Sequence, residues 1–424
     1  MSTNRLQRTS GFGLSSPTTR VPDRSVDVLI VGAGPAGSAA AITLSRAGIQ
    51  SLVIDKAEFP RDKICGDGLT TGALRLLEEL GVVPESIESW QEAEDCWVRS
   101  PTGTTRLFEL PRTGGSFAAI ATRKDLDEAL LNLARKEGAE VLDGHGLLGA
   151  QEDANGITVE VDGIGLVRAT WVIGADGMWS PLRKHLGVAV QGYLGEWHAF
   201  RQYVSGVGPV AAKDLFISFE ADLLPGYFWS FPLPGGRANI GFGIQRDGER
   251  KTKEMKALWF DLLDRPHIRA VLGADFVADE PHRAWPIPAR VDKMLPATER
   301  ALFVGDAVAA CDVMTGEGIA QALVTGIRAA EAVRDHGRLG EAGRAYAVAL
   351  KKELVADHRM SKLLVRGLSS VGGADRAVRI AGATPWTRRN FGRWLFEDYP
   401  RALIATPRRW GKGVISQPGA YASR

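Results

Sequence analysis

Residues 26–55, VDVLIVGAGPAGSAAAITLSRAGIQSLVID, constrain the fold of this chain more than any other stretch. Residues 28–31 are a continuous apolar run, the pattern of a parallel strand covered on both faces. Gly32, Ala33, Gly34, Pro35, Ala36 and Gly37 follow at once with G-x-G-x-x-G spacing. Gly32 permits a tight turn, Gly34 lets the backbone approach a pyrophosphate, and Gly37 lets the next helix pack closely on the sheet. That alanine-rich helix stops at Gly48, and its N-terminus offers free N–H groups and a positive dipole end to phosphates. Asp55, eighteen residues after Gly37, ends the second strand, where a carboxylate accepts hydrogen bonds from a ribose. The unit predicts a dinucleotide site. Which dinucleotide stays open at this point, because Lys56 beside Asp55 can also be read as a contact to an NADP phosphate.

Length and composition narrow the classes. A chain of 424 residues has room for two or three domains, and 45% hydrophobic with 24% charged residues is ordinary for a folded protein. A net charge of +2 gives no electrostatic case for nucleic acid, and no binding module accompanies the basic residues. No run of 18 apolar residues exists, so no spanning helix is expected. Residues 1–25 carry Arg5, Arg8, Arg20 and Arg24 among Ser, Thr, Gly and Pro without an apolar core, and are read as a disordered leader. Three scattered cysteines, Cys65, Cys96 and Cys311, fit a reducing cytoplasm. With no C-x-x-C and no H-x-x-x-H, no metal site is indicated.

Along the chain, residues 56–69 read as a polar loop leaving the carboxyl end of a strand, which faces the ligand crevice in a doubly wound sheet. Residues 70–80 read as a helix, and residues 97–110 as a hairpin turning at Pro101-Thr102-Gly103. A helix opens at Arg123 with Thr122 as N-cap. Residues 157–173 form a second hairpin. From about residue 197 to 244 the pattern turns largely β, and period-two geometry puts Tyr227, Trp229 and Phe231 on one face of a strand. Residues 281–288, PHRAWPIP, read as extended. A strand at 301–304 and a helix at 319–334 follow.

Two further motifs sit at strand ends. Residues 171–186, WVIGADGMWSPLRKHL, place Asp176 and Gly177 after an apolar strand; a plain turn is the bland alternative. Residues 301–326 place Gly305-Asp306 after another strand and open a helix at Gly316-Glu317-Gly318. Asp306 can cap a helix or hydrogen-bond a ribityl chain, and the N–H groups of Gly316, Gly318 and Ile319 can approach an isoalloxazine edge. With the first motif, these pieces resemble the FAD-containing para-hydroxybenzoate-hydroxylase-like superfamily. The resemblance implies FAD, which settles the role of Asp55 and leaves Lys56 an ordinary surface residue. It also identifies Arg123, with Asp127 and Leu130, as the R-x-x-x-D-x-x-L helix whose arginine lies near the cofactor.

Within the superfamily, Lys63-Ile64-Cys65-Gly66-Asp67-Gly68, the run PGYFWSFP at 225–232 and TGEGI at 315–319 resemble the geranylgeranyl reductase family. That family reduces isoprenoid double bonds in chlorophyll side chains, archaeal lipids and menaquinone tails. The resemblance implies a hydride from reduced flavin, supplied by NADPH or another reductant, and help from a proton donor. Cys65 is a candidate donor, Gly66 neighbours the cofactor, and Tyr227 and Trp229 would line an apolar tunnel for a prenyl chain. The alternatives are a small buried thiol, a plain aromatic core, and solvated loop charges at Lys63 and Asp67. For the whole chain, a flavin monooxygenase or halogenase and a flavin electron-transfer protein remain open, since one fold serves several chemistries.

The expected architecture is α/β. A Rossmann-like FAD-binding domain (26–95, 113–190, 296–340) is interleaved with an antiparallel substrate sheet (96–112, 191–295), and a helical region (341–424) follows. That last region interleaves arginines with aromatics. It reads as a cap on the substrate domain or as a peripheral contact to a membrane. Oligomeric state is not legible.

Overall fold

The computed structural model describes residues 21–246, 252–337, 340–411 and 416–422. The leader expected over residues 1–25 lies mostly outside them; its last two residues already belong to the first strand, Arg24–Val31. Next come the helix Pro35–Arg46 and the strand Ser51–Asp55.

The nucleotide sheet has seven strands. It runs Glu140–Asp143, Ser51–Asp55, Arg24–Val31, Gly165–Gly174, Gly156–Val161, Leu147–Asp153, and Ala301–Phe303 also pairs with Gly165–Gly174. The pairings through Ser51–Asp55, Arg24–Val31 and Ala301–Phe303 are parallel, and the register aligns Val31 with Ile54 and Gly174, and Gly174 with Phe303. Five carboxyl ends therefore open on one edge, where ligands bind in open α/β sheets. The antiparallel hairpin Gly156–Val161 with Gly165–Gly174 matches the expected one, and Leu147–Asp153 extends it.

The second sheet has eight strands: Val277–Ala278, Trp197–Ser205, Arg237–Gln245, Tyr227–Leu233, Leu215–Ser218, Asp95–Arg99 and Thr105–Glu109 in order, with Arg283–Ile287 also on Trp197–Ser205. Pro286 is tolerated there because Arg283–Ile287 lies on an edge. Pairing is antiparallel except where Leu215–Ser218 meets Asp95–Arg99. That junction joins two separate excursions from the nucleotide domain, so no hairpin imposes direction. One face packs Phe200, Phe228 and Phe242 against Trp259 of the helix Thr252–Asp264. The opposite face carries Tyr227, Trp229 and Phe231 toward the nucleotide domain.

A third sheet of three short strands, Gly68–Thr70, Ala118–Ile120 and Gln91–Glu92, bridges the two. The end of the expected 56–69 loop is thus a strand, because Gly68 and Thr70 pair with Ile120 and Ala118. Thr70 then caps the helix Thr71–Glu79 by accepting from Ala73 N–H. Thr122 does hold the N-cap position of Arg123–Lys136, but its hydroxyl donates to the Asp125 carboxylate (3.0 Å) and satisfies no helix N–H.

Helices Glu341–Leu350, Ala356–Leu368, Val371–Ala381 and Pro385–Leu395 complete the chain. Phe391 packs on Phe108 of the hairpin (centroids 5.1 Å), so part of this region does cap the second sheet. Trp386 and Trp410 point outward, 71% and 62% exposed. No helix among the described residues is long and apolar enough to cross a membrane.

Candidate active site

A cavity of about 850 Å³ lies between the two large sheets, at the carboxyl ends of the nucleotide strands. Gly32, Gly34, Pro35 and Ala36 form one wall. The three glycines divide their work. A Cβ on Gly32 would sit 2.3 Å from the Ala175 carbonyl oxygen, and one on Gly37 1.9 Å from the Gly32 carbonyl oxygen. These two allow the turn and helix to nest, whereas Gly34 faces the cavity with Arg61 and Arg123 guanidinium nitrogens near it (3.5 and 3.8 Å from a built Cβ). Ala33 and Gly37, expected as cofactor contacts, shape the turn and do not line the cavity. Ala33 N–H donates to Asp55 Oδ2 (2.8 Å) and Ala57 N–H to Asp55 Oδ1 (2.9 Å), so Asp55 ties the glycine turn to the second strand.

Arg123 binds Asp127 through two nitrogens (2.7 Å each), and Arg61 binds the same carboxylate at 2.6 Å. Two arginines on one buried acid leave net positive charge beside the helix N-terminus at Pro35. That is the electrostatics a pyrophosphate requires. Arg61 was not singled out from sequence. Lys56 is exposed at the rim, in keeping with a surface residue.

Asp176 and Asp306 line the cavity, each with protein partners of its own. Asp176 accepts from Ser180 Oγ (2.7 Å) and Leu182 N–H (2.8 Å), and burial pushes its carboxyl up to about 6. Asp306 accepts the Cys311 thiol at 3.2 Å. Gly316, Gly318 and Ile319 reach the wall as expected, but Ile319 N–H and Ala320 N–H are occupied by the Glu317 carboxylate (2.9 and 3.1 Å). Glu317 was missed, although it stands inside the motif.

The loop at 63–68 crosses the cavity under the aromatic strand. Tyr227, Trp229 and Phe231 line it side by side (6.3 Å between neighbouring centroids), and Gly66 lies against Trp229 and Phe231. Tyr227 donates its hydroxyl to the Thr315 carbonyl. Trp229 Nε1 donates to Asn239 Oδ1 (3.0 Å), and Asn239 Nδ2 donates to the Cys65 carbonyl (2.9 Å) and Asp67 Oδ2 (2.8 Å). Tyr203 adds a hydroxyl to Asp67 Oδ2 at 2.6 Å. Asp67 is therefore a buried anchor and not a solvated loop charge. Lys63 is likewise drawn inward: its Nζ stacks 3.6 Å from the Trp285 ring centroid, and burial lowers it to about 8.

The Cys65 thiol faces the cavity and accepts Asp67 N–H weakly (3.4 Å). Burial and the Asp67 carboxylate push it up to about 11, so it stays protonated at neutral pH. A thiol so shifted carries its proton and is no nucleophile. Among the described residues, no group of His, Cys, Asp and Glu is placed to hold a metal.

A Rossmann sheet, a glycine turn flanked by two arginines, and strand-end carboxylates in one large cavity fit FAD, and they define an FAD-binding oxidoreductase. Residues 25–330 match the model of the FAD binding domain family. The chain is 32% identical to menaquinone reductase of Mycolicibacterium smegmatis over 342 residues, covering 73% of this chain and 77% of that protein. It is 33% identical to digeranylgeranylglycerophospholipid reductase 2 of Methanopyrus kandleri over 313 residues, covering 72% and 76%. The crystal structure of a geranylgeranyl bacteriochlorophyll reductase-like protein from Thermoplasma acidophilum shares the fold, with a TM-score of 0.76, 22% identity, and coverage of 91% of this chain and all of that one. Halogenase PltM shares it less closely, with a TM-score of 0.67, 18% identity, and coverage of 94% and 87%. This chain belongs to the geranylgeranyl reductase family of FAD-dependent oxidoreductases.

Proposed function

We propose that this protein reduces C=C bonds in the prenyl chain of a lipid or quinone. The observation that carries the reading is the clamp on the Cys65 loop: Asn239 and Tyr203 from the substrate sheet fix that loop beneath the Tyr227–Trp229–Phe231 stripe. The relatives named as menaquinone and digeranylgeranylglycerophospholipid reductases support the prenyl class.

The work divides by segment. Residues 26–95, 113–190 and 296–340 hold FAD, which when reduced supplies a hydride. Gly32, Gly34, Pro35 and Ala36, with Arg61 and Arg123, would hold the pyrophosphate, Asp55 would hold the ribose, and Asp306 and the Gly316–Ile319 turn would hold the flavin end. Residues 96–112 and 191–295 hold the substrate. Tyr227, Trp229 and Phe231 exclude water and orient a flexible apolar chain. An isolated alkene has no carbonyl to polarise it, so hydride addition to one carbon needs a proton at the other; the Cys65 thiol supplies it. The reductant for the cofactor would be NADPH or another two-electron donor. Residues 341–424 bring the cavity to the membrane where such substrates reside, through exposed Trp386, Ile380 and Trp410 beside Arg376, Arg379 and Arg389. The test is anaerobic: hold the protein with reduced FAD, offer a geranylgeranyl lipid and a menaquinone, and weigh the products. Gain of hydrogen pairs supports the reading, and unchanged substrate or air-dependent oxygen insertion sinks it.

A further inference from the structure

A second cavity, of about 230 Å³, lies behind the Gly316–Ile319 turn and beneath the C-terminal segment. Cys311 borders both cavities. The small one is lined by polar groups that the protein leaves unpaired. Among the described residues, Arg401 Nη1, Gln321 Oε1 and His358 Nδ1 have no hydrogen-bond partner, and all three residues are more than nine-tenths buried. Buried polar atoms around a space this large call for water.

Two carboxylates stand between that space and the large cavity. Glu397 lines the small cavity; its Oε1 accepts from Gln321 Nε2 (3.1 Å) and Arg401 Nη2 (3.4 Å), and its Oε2 from Thr70 Oγ1 (3.3 Å). Glu317 lines the large cavity and is held by two backbone N–H groups of the helix it opens. Glu397 adopts a left-handed backbone (φ +56), so its turn is held against its own preference. The groups facing the pair are Asp312, Arg401, Tyr227, Cys65 and Cys311. Arg401 alone is cationic among them, and it is shared with Asp312.

We propose that Glu397 and Glu317 form a proton inlet, in which Glu397 takes protons from water in the small cavity and passes them to Glu317 on the wall of the large one. This rests on the alkene-reductase reading. Saturating one C=C bond takes up a hydride and a proton; the hydride's two electrons come from the cofactor and its external reductant, and the relay concerns the proton alone. For each bond saturated, the Cys65 S–H bond breaks to protonate the alkene carbon, the Glu317 O–H bond breaks to re-form that S–H bond across the cavity the two residues share, Glu317 takes a proton from Glu397, and Glu397 recovers one from water. Burial holds both acids above the ordinary range, helped by the Glu397 carboxylate at Glu317 and by the Asp312 carboxylate at Glu397, where Arg401 opposes it, so the pair keeps a proton near neutral pH.

Infrared titration of the FAD-loaded protein reads that proton directly. A protonated-carboxyl band at neutral pH, lost in Glu317→Gln and shifted in Glu397→Gln, supports the inlet. In turnover, Glu397→Gln is expected to lower kcat by about tenfold or more with KM unchanged, and to raise the solvent deuterium isotope effect. No such band in the wild-type protein overturns the proposal. So does a Glu397→Gln variant that keeps kcat within about twofold and its isotope effect. If that variant fails to fold, the wild-type spectrum decides. Absence of prenyl reduction by the wild type would instead reject the function, and the infrared result would still judge the inlet.

Discussion

Asp67 sits in a left-handed turn (φ +62), wholly buried, with one carboxylate oxygen hydrogen-bonded twice and the other not at all among the described residues. Burial raises its carboxyl from 3.8 to about 6. Between those values the folded protein holds a proton that the unfolded chain has lost, so stability falls as pH rises through this window and is level above it. The shift corresponds to a cost on the order of 3 kcal/mol at neutral pH. Asp67→Asn should therefore gain on the wild type from about pH 4 to about pH 6 and hold that gain above. Urea unfolding of both proteins across the window checks this, and a constant offset would contradict it. Cys65 carries the second residue-scale prediction. Its thiol is protonated at neutral pH, so Cys65→Ala should cut kcat roughly 10²-fold with FAD content unchanged, and Cys65→Ser should recover part. Full turnover by the alanine variant removes Cys65 from the chemistry.

At the scale of elements, the aromatic strand works only because its neighbour is bare. Trp229 pairs across from Gly241 and Tyr227 from Gly243. A Cβ on Gly241 would lie 2.2 Å from the Trp229 ring and 2.2 Å from the Phe200 carbonyl. Gly241→Ala should displace Trp229 from Asn239, cost about 1–3 kcal/mol, and raise KM for a prenyl substrate. Thermal unfolding with steady-state kinetics tests it; an unchanged KM would show that Trp229 does not touch substrate. The same elements show what sequence can carry. The glycine turn and the aromatic stripe were legible because each is a local pattern, fixed by spacing and period. The clamp was not, since Tyr203 and Asn239 reach Asp67 from 136 and 172 residues away. Nothing local marks them. Glu317 was legible only as part of a motif, because its task depends on Glu397 in a distant turn.

At the scale of the molecule, two sheets meet face to end around one cavity, and the helix Pro385–Leu395 packs on the outer hairpin of the second sheet. Composition foretold neither the parallel junction in the second sheet nor the small cavity, both of which arise where separate segments meet. The interleaving itself was legible, because strand patterns change character along the chain. Outward Trp386 and Trp410 among arginines predict binding to anionic vesicles that weakens with salt. Co-flotation should fall in a Trp386→Ala, Trp410→Ala double variant while anaerobic turnover of a detergent-solubilised substrate persists; flotation equal to wild type would reject the membrane face. The central claim is reduction of a prenyl C=C bond by this chain's bound FAD. Mass spectrometry of a geranylgeranyl or menaquinone substrate after anaerobic incubation with the reduced holoprotein tests it most directly. The account predicts products heavier by whole hydrogen pairs. Products that carry oxygen and form only in air, or cofactor reoxidation with the substrate unchanged, would contradict it.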